Sequence, residues 1–235
     1  MVLIGTLVNG AAIIIAALIG LQIKQISDNL KTTVMQALSL AIIVLGITMA
    51  IKTEQFIIVI SSLVIGAILG EKLNVDGWLN RIGFWVEKRL GASQDGKVAK
   101  AFVTTTLIYV VGAMAILGAL DSGLRGDHSV LFTKSLLDGV SSLIFASTMG
   151  IGVALSAIPV ILYQGGIALF AGQINTWVPD ILMDTFIIEM TSVGGILIIA
   201  IGLNLLGLTQ IKVANLLMSI PVVACIVTIL YIIPL

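Results

Sequence analysis

Ile181-Leu-Met-Asp-Thr-Phe-Ile-Ile-Glu189-Met-Thr-Ser-Val-Gly-Gly195-Ile-Leu-Ile-Ile-Ala-Ile-Gly-Leu-Asn-Leu-Leu-Gly-Leu208 is long and apolar enough to be a bilayer-spanning helix, yet Glu189 lies inside it. A stretch of about 20 apolar residues crosses a hydrocarbon core of about 30 Å as a helix. A carboxylate at that depth costs about 2.5–3.5 kcal/mol even on insertion scales, so something must compensate for it. Downstream, Thr191, Ser192, Gly194 and Gly195 add hydroxyls and bare backbone. The segment therefore reads as the wall of a polar cavity, with Glu189, Thr191 and Ser192 as candidate ligands for a small solute or ion.

The rest of the chain agrees with a membrane setting. Of 235 residues, 59% are hydrophobic and 10% charged, with mean hydropathy +1.19, which is too much apolar surface for a water-soluble core of that size. The apolar runs are too continuous for barrel strands, which alternate over about 10 residues. The expected fold is all-α and polytopic, since closed helices satisfy the backbone in lipid. A net charge of zero argues against a nucleic-acid partner, which needs a basic surface. The single Cys225 has no internal disulfide partner and is read as packing. The apolar run directly after Met1 lacks the basic region and cleavage site of a secretory signal, so the first helix is expected to remain.

Hydropathy and punctuation predict about eight spans: 2–21, 34–51, 56–70, 101–120, 133–156, 157–172, 181–203 and 213–233. Pro159 and length alone set the boundary between the fifth and sixth. The division that follows is a first three-helix unit (1–70), a cytoplasmic amphipathic linker (71–100), two central spans (101–156) and a second three-helix unit (157–235). In the linker, Val75, Trp78, Leu79, Ile82, Trp85, Val86 and Leu90 recur at helical spacing opposite Asn80, Arg81, Glu87 and Lys88, the pattern of a helix lying on a lipid surface. The 91–96 segment reads as a loop. Of the 12 basic residues, nine fall on one side and Lys52, Arg125 and Lys134 on the other. The positive-inside rule then places both termini outside the cytoplasm.

Spans one to three can be laid over spans six to eight at a shift of about 155 residues, which matches Asn9-Gly10-Ala11 with Gln164-Gly165-Gly166. With a small gap, Gln36 and Ser39 fall opposite Glu189 and Ser192. The parity of the spans makes the two units antiparallel, a 3+3 inverted repeat with spans four and five outside it, as in secondary transporters with midplane sites. Shared small-residue vocabulary is the competing explanation.

A second constellation lies in span five: Asp138-Gly-Val-Ser-Ser, then Ser147-Thr148-Met-Gly150-Ile-Gly152. Density of this kind suits an unwound turn that offers backbone groups to a solute, or close packing through Ala146, Gly150 and Ala154. Asp138 is expected about one turn inside, near the external interface. The candidate binding set is thus Glu189, Thr191, Ser192, Asp138, Ser147, Thr148, Gly150, Gly152, Asn9 and Gln164. No metal or cofactor is expected, since the lone His128 sits in a hydrophilic loop with no second His or Cys to complete a site.

Catalysis is not expected either. An intramembrane aspartyl protease needs Gly-x-Gly-Asp, but Gly150-Ile-Gly152 is followed by Val153; a serine protease needs a buried His. The phosphate-binding Gly-x-x-x-x-Gly-Lys-Ser/Thr is absent.

At Asp138-Gly139, at Ser147-Thr-Met-Gly-Ile-Gly-Val-Ala-Leu-Ser-Ala-Ile-Pro-Val-Ile-Leu-Tyr-Gln-Gly165, at Thr191-Ser-Val-Gly-Gly195 and at Ile201-Gly-Leu-Asn-Leu-Leu-Gly207, the chain resembles the YdfK/YqgA-like bacterial integral membrane proteins. Gly5-Thr-Leu-Val-Asn-Gly10 and Gly46-Ile-Thr-Met-Ala-Ile51 extend the resemblance over nearly the whole chain. It implies a bacterial inner-membrane location and, the family being of unknown function, no substrate. Ser39 stands where the family usually has Gly, and Met218 where it usually has Pro. The residues favour a secondary transporter or permease for a small polar solute or ion, with membrane lipids and a second copy of the chain as partners. The alternative is a non-transporting regulator or scaffold, in which Glu189 would be paired and sealed.

Overall fold

A computed structural model describes residues 1–23, 28–89 and 96–233. The 91–95 part of the expected loop, Lys24 and Leu90 lie outside them. In chain order the helices are α1 (Ile4–Gln22), α2 (Asp28–Ala50), α3 (Phe56–Leu73), α4 (Val75–Arg89), α5 (Lys97–Val110), α6 (Ala113–Leu124) and α7 (Ser129–Met149). They continue with α8 (Gly152–Leu155), α9 (Ala157–Leu169), α10 (Ala171–Trp177), α11 (Asp180–Leu205), α12 (Val213–Leu216) and α13 (Ser219–Ile232). Seven segments are long and apolar enough to cross a membrane, and the bent pair α5–α6 makes an eighth among the described residues. The protein is a polytopic α-helical membrane protein, as expected.

Two compact units divide the chain, residues 1–31 with 79–176, and residues 32–78 with 177–235. Helix α4 straddles the division. Its exposed Trp78 and Trp85 lie on the apolar face read from the sequence, but on the opposite face, expected to be polar, Phe84 is exposed and Glu87 is buried. The turn from α3 into α4 is made by Asn74 in the left-handed region (φ 50°), which an Asn tolerates.

In the first unit α1 and α7 run parallel: Gly5 packs on Leu131, Gly139 on Ala12, and Gly20 on Leu143 and Ala146. Small residues let the two backbones approach closely, the means by which membrane helices associate without a hydrophobic driving force. Helix α9 runs antiparallel to α1, with Gly10 against Ile161 and Gly165 against Leu3 and Thr6.

Two span assignments require correction. The fifth span ends at Met149 and the sixth begins at Gly152, so the boundary is Gly150 rather than Pro159. Gly150 adopts φ 89°, a conformation that a side chain disfavours, and this ends α7. Pro159 instead occupies the third position of α9, where the first turn has no intrahelical use for its missing N–H. Pro221 stands at the same position in α13, behind the break at Leu217 and Met218 that interrupts the last span. The fourth span, expected to be continuous, bends by 61° between α5 and α6. The bend falls at Gly112, with φ 147°.

In the second unit α2 and α11 cross antiparallel, so close that a Cβ on Gly46 would meet the Gly195 carbonyl oxygen at 2.7 Å and one on Gly195 the Gly46 oxygen at 2.6 Å. Ser39 is fully enclosed and donates its hydroxyl to the Met35 carbonyl. Helix α3 lies antiparallel to α12 and α13, with Gly66 against Ser219 and Gly70 against Asn215. At that end Glu71 accepts from Lys212 Nζ at 2.9 Å and from Asn215 Nδ2 at 2.6 Å, while Asn215 Oδ1 accepts the Asp76 N–H. The Glu71 carboxylate beside Lys212 holds that ammonium above its ordinary range. Cys225, read as a packing residue, is exposed on α13.

Candidate functional site

Helix α7 begins at Ser129, four residues before the expected start, and this changes the meaning of two charges. Lys134, expected as the second residue of its span and counted with the basic residues of the sparser side, is the sixth residue of the helix and buried; the basic residues on that side become Lys52 and Arg125. Asp138, expected about one turn in, lies nine residues beyond Ser129, about 13 Å along the axis. Four residues apart on one face, the two form an ion pair, with Nζ at 2.9 Å from Oδ2 and 3.0 Å from Oδ1. Neither charge could remain buried without the other.

Asn9, from the parallel α1, completes the cluster. Its Nδ2 donates to Asp138 Oδ2 at 3.1 Å and to Gln164 Oε1 of α9 at 3.3 Å. Asn9 and Gln164 are fully enclosed, and Asp138 and Lys134 retain 6% and 7% of their surface. One turn further along α7, Ser142 is hydrogen-bonded to the Tyr109 hydroxyl at 2.8 Å, so Lys134, Asp138 and Ser142 make a polar stripe inside the unit. Asn9, Asp138 and Gln164 were readable as candidates. Lys134 was missed although its spacing from Asp138 was visible, and Tyr109 had no sequence signal.

Glu189 has a different environment. It too lies nine residues into its helix, but its partners come from the connection between α2 and α3. The Thr53 hydroxyl donates to Oε2, and the backbone N–H groups of Glu54 and Gln55 donate to Oε1 at 3.2 and 3.3 Å. Gln55 is the residue immediately before α3. Glu189 therefore caps the start of another helix, whose unpaired N–H groups and dipole favour an anion. The carboxylate is 1% exposed. A depression of about 150 Å³ nearby is lined by Gln55, Ile58, Leu182, Thr185, Val227 and Leu230, and Glu189 is not in its wall.

The other candidates divide between the units. Ser192 donates back to the Ile188 carbonyl, and the Thr191 hydroxyl is buried without a partner among the described residues. In the first unit, Ser147 and Thr148 donate to the Ile144 and Phe145 carbonyls of their own helix. Gly150 makes the turn after α7, and Gly152 packs on Val98 and Ala101 of α5. Ser147 to Gly152 is a helix end and a turn, not an unwound stretch within a span. Neither unit alone holds both Glu189 and that segment, so the composite site expected from the sequence is contained in neither. His128 binds Ser122 Oγ through Nδ1 at 2.7 Å, and no group of three His, Cys, Asp or Glu capable of holding a metal occurs among the described residues.

Comparison with known proteins agrees with the resemblance read from the motifs. Residues 4–228 match the family model described as "Protein of unknown function (DUF554)". The chain is 34% identical over 220 residues to the uncharacterized membrane protein YdfK of Bacillus subtilis, covering 92% of this chain and 91% of the relative. It is 26% identical over 219 residues to the uncharacterized protein YqgA of Escherichia coli, covering 91% and 92%. No solved structure matches. With a family model spanning nearly its full length and a relative of this identity, the chain belongs to the DUF554 family of membrane proteins.

Proposed function

We propose that this membrane protein is a secondary transporter or permease for a small polar solute, without catalytic activity, and that its working site is the cluster Asn9, Lys134, Asp138 and Gln164. The observation that carries this reading is the buried Lys134–Asp138 pair inside a membrane-spanning helix, with Asp138 near its midpoint. Ionisable groups at such depth are costly to keep and mark solute or proton pathways. Glu189 in this reading fastens α3 rather than touching the solute. Its complete pairing is the observation that favours the second reading, a non-transporting scaffold.

The inverted repeat is part of the same proposal, and three contacts support it. A two-fold axis in the membrane plane brings together equivalent residues that lie on it, and the helices carrying them must run antiparallel. Asn9 and Gln164 are separated by 155 residues and bonded to each other on antiparallel helices. Gly46 against Ile199 and Gly66 against Ser219 repeat that interval to within two positions, each on an antiparallel pair.

Uptake into proteoliposomes containing a pH-sensitive dye, run against amino acids, organic acids and monovalent cations, tests the reading. Wild type should move at least one class, and Asp138→Asn should abolish that movement. Wild-type vesicles as tight as empty ones would leave the scaffold. The inner-membrane orientation, with both termini outside and α4 on the cytoplasmic leaflet, is testable in a Cys225→Ser background. Arg125→Cys should react with an impermeant maleimide added to cells, and Lys88→Cys should not. A homodimer is expected from the small-residue faces, and mass measurement in detergent reads it directly.

A further inference from the structure

Among the buried polar atoms of the first unit without a partner among the described residues, Thr6 Oγ1, Asn9 Oδ1 and Gln164 Nε2 lie together on α1 and α9. All three residues are fully enclosed. An orphaned buried donor or acceptor is costly and is ordinarily met by water or a ligand. These orphans adjoin the Lys134–Asp138 pair, because the Asn9 that lacks a partner at Oδ1 uses Nδ2 on both Asp138 and Gln164. Thr6 lies on the same face of α1, three residues before Asn9.

The four side chains thus offer a fixed cation at Lys134 with a free donor at Gln164 Nε2, and a fixed anion at Asp138 with a free acceptor at Asn9 Oδ1. The complement of that set is a solute with one carboxylate and one ammonium group. Charge balance selects the same class. A lone cation that displaces Lys134 from Asp138 leaves one uncompensated positive charge in the membrane, and a lone anion leaves one negative charge. A neutral polar solute opens the ion pair and gives neither partner a counter-charge. A zwitterion exchanges one ion pair for two and keeps the site neutral.

We infer that the Asn9, Lys134, Asp138 and Gln164 cluster binds a small zwitterion of the α-amino acid type, its carboxylate on Lys134 and Gln164 and its ammonium on Asp138 and Asn9. This deepens the transporter reading and rests on that cluster being the working site.

The test is the thermal unfolding of the full-length protein in detergent with glycine, L-serine or L-glutamine, set against the part-molecules acetate, methylammonium and acetamide. A ligand that binds only the folded state raises the midpoint, by about 5–10 °C at a hundredfold excess over its dissociation constant. At least one amino acid should do so, and the three part-molecules should not. The shift should vanish in the double variant K134M/D138N, which leaves no lone charge and so is expected to fold. It should survive in part in Lys134→Arg, which keeps the cation. Three results would overturn the inference: a midpoint unmoved by any amino acid, an equal shift in the double variant, or a shift with acetate alone. The last, growing as pH falls, would point to an anion carried with a proton and would leave transport standing. An amino acid that binds here but is not carried in proteoliposomes would keep the site and remove the transport.

Discussion

Asp138 and Glu189 are the same kind of residue at the same depth in their helices, and they are held in opposite ways. Asp138 is answered by side chains, a lysine on its own helix and an asparagine on α1. Glu189 is answered by the start of a helix, two backbone N–H groups and a threonine hydroxyl. Side-chain partners can swing away, and their charge can be matched by something else. Backbone amides at a helix start have no such freedom. An acidic residue inside a span therefore has two physical meanings: an exchangeable pair, which suits a binding site, and a fixed fastening, which suits architecture.

Breaking each arrangement should separate the two. The largest effect is expected from Lys134→Met or Asp138→Asn alone, each of which leaves a buried charge without its partner and should cost about 3–5 kcal/mol. Joining the two changes should recover most of that loss in a denaturation series. A double variant no better than the worse single one would mean that the pair does not neutralise itself. Next comes Glu189→Ala, which removes the acceptor of the Thr53 hydroxyl and of the Glu54 N–H while the Gln55 N–H keeps Thr53 Oγ1, and should cost about 1 kcal/mol for each bond lost. It should lower stability while any solute-dependent shift persists. Loss of the solute shift in a folded Glu189→Gln protein would return Glu189 to the binding site and blur the contrast. Thr53→Val, which removes one donor of the three, should cost about 1 kcal/mol, read from the same melts.

The smallest effect belongs to a carboxylate outside the spans. Asp127 accepts the Ser129 N–H at the start of α7, and that bond holds its carboxyl below the ordinary range. A lowered folded value means that the contribution is present above the unfolded value, about 3.9, and is lost as pH falls through the folded one. Asp127→Asn should therefore flatten the acid limb of the stability profile slightly and leave neutral pH nearly unchanged. An unaltered acid limb would show that this bond carries no stability.

Where a polar segment punctuates the chain, the sequence was sufficient. The starts of α3 at Phe56 and α12 at Val213 fall where hydropathy put them, because the polar stretches Lys52 to Gln55 and Thr209 to Lys212 interrupt the apolar runs. The start of α7 departed from the same logic. Hydropathy set Lys134 at the very edge of its span, but a lysine four residues from an aspartate is neutralised within the helix, which begins four residues earlier, at Ser129. Pro159 misled as a boundary because a proline fits the first turn of a helix, whereas the chain reverses at a glycine that alone tolerates φ 89°. The bend at Gly112 was hidden by its neighbours, since one glycine in an apolar run gives no sign that its φ is positive. The polar cluster was half legible. Asn9, Asp138 and Gln164 stand out in apolar surroundings, but their meeting depends on three helices distant in the chain.

The clasp at Glu189 also imposes a timetable. Gln55 leaves the ribosome 134 residues before its acceptor does. At about 5–20 residues per second, roughly ten seconds pass with the start of α3 unfastened. All of residues 79–176 emerges in that interval, so the chain for the first unit is complete while the second still lacks its later half. The newborn protein must hold α2 and α3 in the membrane as an unfinished pair, and the emergence of α11 releases them from waiting.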